Sequence, residues 1–203
     1  MSSFAHYQLG NTGLLVSPLG IGTVKWGRIE ALKHGLFELP DDSALEALME
    51  IAIAANITLL DTAPAYGIAE ERIGRLLGQR RDQFLLFSKT GEIFAYGQSR
   101  WDFSAEHTRR SVEQSLKRLR TDRLDAVLLH CQRNDLEILQ NSAALETLAM
   151  LKAQGLIRCI GVSVASLEGG LYALPLSDIL MVAWSHDFQD QLAVIEAAAL
   201  ANK

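Results

Sequence analysis

Apolar residues along this chain fall into two kinds of pattern. Short, nearly unbroken runs occur around Ile57–Leu60, Phe84–Phe87, Leu124–Leu129, Ile157–Val162 and Asp178–Ala183. Such runs predict strands buried on both faces, as in a parallel sheet. Between them, apolar positions recur at helical spacing: Leu45, Leu48, Met49 and Ala52 behind the cap candidate Asp41, then Ile73, Leu76 and Leu77. Val112, Leu116 and Leu119 follow the cap candidate Ser104, and further helices are predicted from Ala143 to Lys152 and from Gln191 to Ala201. A first, glycine-rich strand is read at Leu19-Gly20-Ile21-Gly22-Thr23, where glycines mark a close approach of backbone or ligand. Ahead of it, Gly10-Asn11-Thr12-Gly13 separates two short runs and predicts a hairpin that plugs one mouth of a barrel. The stretches up to Pro40 and after Lys89 read as loops, the second rich in glycine and aromatics.

Strand and helix thus alternate throughout. The pattern predicts an α/β domain with a parallel sheet covered by helices, and leaves a doubly wound sheet and a barrel both open. Residues 1–203 are read as a single domain, with 49 % hydrophobic and 21 % charged residues. A net charge of -5 gives no basic face for nucleic acid. No run is long enough for a membrane span, and the N-terminus has no signal-peptide pattern. Cys131 and Cys159 have neither CxxC spacing nor disulfide-scaffold density, so a cytoplasmic protein is expected. No GxGxxG fingerprint follows the first strand, and no metal site is assigned.

The chemistry is concentrated where apolar runs give way to loops. Three successive strands end in Asp61, Lys89 and His130, and Tyr66 follows the first in Asp61-Thr62-Ala63-Pro64-Ala65-Tyr66-Gly67. Each residue has an ordinary reading: Asp61 as a helix cap, Tyr66 as a surface aromatic, Lys89 as a solvated cation, His130 as a structural imidazole. At corresponding strand ends of a parallel barrel, however, all four share one rim. A phenol near pKa 10 is a poor donor at neutral pH, and an adjacent ammonium lowers that value. Asp61 would hold Lys89 charged, and His130 would donate a hydrogen bond to a carbonyl oxygen.

These residues resemble the aldo-keto reductases, a family of eight-stranded α/β barrels that reduce carbonyls with a nicotinamide cofactor. The resemblance is carried by the Asp61–Gly67 heptapeptide with Glu71 and Ile73-Gly74, by Ser88-Lys89, by Ser115-Leu116-Lys117-Arg118-Leu119, and by Asp125 through His130. Leu9-Gly10, Thr12-Gly13-Leu14 and Val16-Ser17 extend it into the hairpin. It implies a (β/α)8 TIM barrel with an N-terminal β-hairpin, in which Tyr66 is general acid, Lys89 its modulator, Asp61 the partner of Lys89 and His130 the carbonyl orienter. It implies NADP(H), with NAD(H) possible, and a small-molecule carbonyl or alcohol substrate. Ser163, Gly22 and Thr23 are the cofactor-binding candidates. Trp26 and Trp101, with Phe94 and Tyr96, are candidates for the substrate pocket, although loop packing accounts for each equally well.

The chain departs from the family pattern in two places. Val164 and Met181 stand where the family has amides that grip the nicotinamide carboxamide, and neither can pair with it. Only about six of eight strands are found, and a barrel of this type needs about 250 residues. A C-terminus beyond this sequence and a truncated product are both open. The competing reading is an inactive nicotinamide-binding or regulatory module on the same fold.

Overall fold

The computed structural model describes residues 3–30, 37–132, 134–187 and 189–201. Strands β1 (Tyr7–Gln8) and β2 (Leu15–Val16) form an antiparallel hairpin. They precede β3 (Gly20–Gly22), α1 (Asp42–Ala54), β4 (Leu59–Asp61), α2 (Ala69–Leu77) and β5 (Leu85–Thr90). A second hairpin, β6 (Glu92–Ala95) with β7 (Gln98–Trp101), leads into α3 (Ala105–Leu119) and β8 (Leu124–His130). The chain continues through α4 (Asp135–Asn141), α5 (Ala144–Ala153), β9 (Ile157–Val164), α6 (Leu167–Ala173), β10 (Ile179–Val182) and α7 (Leu192–Leu200).

Six strands pair in the order β10-β9-β8-β5-β4-β3, every pair parallel. This is an incomplete barrel of the predicted type, and each of the six strands lies where its apolar run predicts it. Side chains alternate across a strand, and here they sort into two cores. Leu60, Leu86, Val127, Leu129, Ile160 and Val162 pack outward on the helices. Phe87, Ala126, Leu128, Cys159 and Ile179 pack on the opposite face with Leu14 of the first hairpin, so that hairpin does cover one end of the inner core. Asp61, Lys89, His130 and Ser163 continue the inner rows at the other end of their strands, by the same two-residue period.

Local chemistry sets the helix starts. Asp41 accepts from the Ala44 backbone N–H at 2.7 Å, and Ser104 accepts from that of His107 at 3.2 Å. Three elements escape the sequence pattern. The β6–β7 hairpin replaces the loop expected after Lys89, turning through Tyr96 (φ 54°) and Gly97 (φ 74°), both in the left-handed region that such hairpins demand. The short helices α4 and α6 are joined by the buried Asp135 carboxylate, which accepts from the backbone of Ala165 and Ser166 and from the Ser166 hydroxyl. Part of the loop expected before Pro40 lies outside the described residues. No described helix is long and apolar enough to cross a membrane.

Candidate active site

The rim is assembled from three adjacent strands. Lys89 closes the inner row of β5, 2 % exposed, and its ammonium donates to Asp61 Oδ1 at 2.5 Å, the Thr62 carbonyl at 3.1 Å and the Tyr66 hydroxyl at 3.1 Å. All three donor positions of the ammonium are therefore used. Tyr66 and His130 meet edge to face, ring centroids 6.3 Å apart at 86°. The structure thus brings Asp61, Tyr66, Lys89 and His130 together on one rim. It revises one expectation about them. Burial raises the Tyr66 phenol above its ordinary value, and the opposing Lys89 charge offsets this only in part because Asp61 and Glu92 add to the rise.

Two partners of this group went unrecognised in the sequence. Glu92 Oε2 stands 2.9 Å from His130 Nδ1, a polar contact whose angle falls short of a well-aligned hydrogen bond. Its other oxygen accepts from the Ser99 hydroxyl at 2.6 Å and faces Arg28 at 3.5 Å. Burial works to raise the Glu92 carboxyl, but His130, Ser99 and Arg28 outweigh it and hold it at about 2. The Arg28 guanidinium sits over Phe94, 3.5 Å from the ring centroid, and also donates to the Ala65 carbonyl inside the Tyr66 loop. Cross-strand register puts Glu92, Phe94, Ser99 and Trp101 on one face of the β6–β7 hairpin.

Beneath the rim, Glu70 at the start of α2 is fully buried, accepting from Ser88 at 2.7 Å and from Arg118 at 2.7 Å. One carboxylate thereby fastens β5, next to Lys89, to α2 and α3. The Tyr66 loop is also braced by a close backbone contact. Gly27 and Gly67 (φ 62°) lie so close that a Cβ on either would collide with the other loop's main chain. Asp125 accepts from the Leu86 N–H at 2.9 Å and pairs with Arg81 and Arg158, joining neighbouring strands.

The remaining candidates divide. Ser163 ends the inner row of β9, half-buried, and its hydroxyl has no hydrogen-bond partner among the described residues. Gly22 leaves open space where a side chain would stand. Thr23 is fully buried, with hydroxyl and backbone N–H both donating to the Asp61 carbonyl at 2.9 Å, so its side chain braces Asp61. Trp26 is placed elsewhere than the expected pocket: it is 4 % exposed within the helix-side core, below the Tyr66 loop. Trp101 is partly exposed on the Glu92 face of its hairpin, while Tyr96 projects fully into solvent at the turn. Met181 pairs in register with Ser163, and Val164 packs into the outer core, so neither supplies an amide. Burial, followed by the Asp135 charge, pushes the Cys131 thiol up to about 12, which leaves it protonated and unreactive.

Several known proteins resemble this chain. The chain is 49% identical to a putative aldo-keto reductase of Pseudomonas aeruginosa with a solved structure, TM-score 0.93, covering 100% of this chain and 77% of that one. It is 29% identical to D-threo-aldose 1-dehydrogenase of a Pseudomonas species over 91% of this chain, and 32% identical to L-galactose dehydrogenase of Arabidopsis thaliana over 82%. The chain spans 61% and 50% of the lengths of those two curated relatives. Residues 18–196 match the Aldo/keto reductase family, and the chain belongs to that family.

Proposed function

We propose that this site reduces an aldehyde or ketone to the alcohol, with NADPH as the nicotinamide cofactor and NADH the alternative. The observation that carries the reading is the Lys89 ammonium, 2.5 Å from a carboxylate and 3.1 Å from a buried phenol. The residues fit a nicotinamide in part: open space over Gly22 and the unpartnered Ser163 hydroxyl favour it, whereas Met181 offers no amide. Ser163 and Gly22 would hold the ring, and the cofactor would supply hydride to the carbonyl carbon.

The chain's own residues do the proton chemistry. A phenol raised by burial keeps its proton at neutral pH until a stronger base, an alkoxide, forms beside it. Tyr66 then gives up that proton, and the Lys89 ammonium stabilises the phenolate left behind. Asp61 balances the buried ammonium, so Lys89 is not left as a lone charge in the interior. His130, at the end of the neighbouring strand β8, would bind the substrate oxygen. Trp101 would wall the substrate, a reading supported by its place on the hairpin face that bears Glu92. Two relatives are named as sugar dehydrogenases, which puts small aldoses first among the substrates to test.

The test is Tyr66→Phe, assayed by cofactor oxidation with a panel of aldehydes and aldoses and by fluorescence titration of cofactor binding. Loss of turnover with binding retained is expected, and unchanged turnover refutes the mechanism. Binding without turnover in the parent chain favours the inactive nicotinamide-binding module.

A further inference from the structure

His130 presents its two ring nitrogens to different surroundings. Nδ1 is sealed from solvent and faces Glu92 Oε2 at 2.9 Å, whereas Nε2 has no hydrogen-bond partner among the described residues. An ionised carboxylate only accepts, so a nitrogen held against one carries the proton. Glu92 is itself fixed from the far side, its Oε1 receiving Ser99 and facing Arg28. Arg28 is anchored in turn on Phe94 and on the Ala65 carbonyl, in the loop that carries Tyr66. The loop after β3, the β6–β7 hairpin and the end of β8 are thereby tied into one polar chain. Hydrogen bonds in ligand-free sites are commonly loose and tighten when substrate arrives, which suits the imperfect angle at Nδ1.

We infer that Glu92 is a positioning residue for His130: it keeps the proton on Nδ1 and so reserves Nε2 for the substrate oxygen. The second nitrogen of a functional imidazole is what sets which nitrogen works. Here Nε2 is a donor when the ring is charged and an acceptor when it is neutral, while Nδ1–H stays in place in both forms. The charged ring is then the form that donates to a carbonyl oxygen, and with Nδ1–H held by Glu92 only Nε2–H is left to do so. This inference rests on the carbonyl-reducing reading for its substrate, but the tautomer it assigns to His130 is measurable without any turnover.

The test substitutes Glu92→Gln, which preserves volume. Ser99 and Arg28 both direct hydrogens at Oε1, so the introduced amide turns its oxygen toward them and its NH2 toward Nδ1. Long-range 15N–1H correlation of the His130 ring, above its titration, is expected to show an Nδ1–H tautomer in the parent and an Nε2–H tautomer in the variant. Backbone amide dispersion checks that the variant is folded, and Ser99→Ala, which releases only the far side of Glu92, should give a mixture of tautomers. In carbonyl reduction, Glu92→Gln leaves a neutral Nε2–H donor without the carboxylate that favours the charged ring, so kcat should fall by about tenfold, with KM changed by less than about twofold. An Nδ1–H tautomer that survives in Glu92→Gln overturns the inference. If the tautomer switches while the parent chain reduces no carbonyl, Glu92 keeps its role and the carbonyl-reducing reading fails.

Discussion

The middle of the sheet and its β10 side are built to different standards. At the rim formed by β4, β5 and β8, every donor position of the Lys89 ammonium is filled, and Glu92 is held from three directions. At the β10 side, an apolar groove of about 240 Å3 lies between Leu180, Val182 and the α7 residues Val194, Ile195, Ala198 and Ala199. There the buried Gln191 amide makes no hydrogen bond among the described residues, and the residue paired with Ser163 is the apolar Met181. Asp61, Lys89 and His130 come from strands that are hydrogen-bonded neighbours in the centre, whereas of the groups proposed to hold the nicotinamide Ser163 sits towards the less finished side and Gly22 lies on β3 at the opposite edge. Proton donor and cofactor grip should therefore fail independently.

The sharpest way to break this contrast is Lys89→Met. It should cut turnover by about 10²- to 10⁴-fold, the range of a lost acid–base group, with little change in cofactor affinity. Stability comes next. Leu129→Ala, at a fully buried position of β8, should cost about 2–5 kcal/mol in chemical unfolding. Glu92 adds a pH signature. Its folded-state value of about 2 lies below the unfolded 4.5, so its stabilisation is fully present above 4.5 and is lost as pH falls towards 2. That contribution is on the order of 3 kcal/mol, and urea melts from pH 7 down to 2 should lose it in the parent but not in Glu92→Gln. Met181→Gln probes the other side: an amide beside Ser163 should tighten cofactor binding by about tenfold, one hydrogen-bonded group's worth, with kcat little changed. The smallest effect is expected at Leu192→Ala on α7, 40 % exposed, within about 0.5 kcal/mol.

What the sequence disclosed and what it hid follow the range of the interactions. Strands and helices announced themselves through apolar runs and 3.6-residue spacing, because those patterns are local and follow from burial. Asp61, Lys89 and His130 were visible because each sits where an apolar run stops, and Tyr66 because it lies in the loop that follows the first of them. Glu92 was not, since a glutamate after Gly91 resembles any solvated loop residue, and its partner lies in a different strand end. The hairpin that carries it was masked by its turn. Tyr96-Gly97 adopts the backbone expected of Asn-Gly, yet a tyrosine there gives no such signal. Arg28, Thr23 and Glu70 belong to the same class: their roles depend on main-chain atoms or charges brought close only by folding.

Gly27 and Gly67 set a boundary on any redesign of the rim. Because two bare backbones pressed together help to set the phenol's height, a bulkier residue at either point pushes the two loops apart instead of reshaping a pocket. Variation in substrate preference is thus steered to the β6–β7 hairpin, whose outer turn can change length or sequence without disturbing the distance between phenol and lysine.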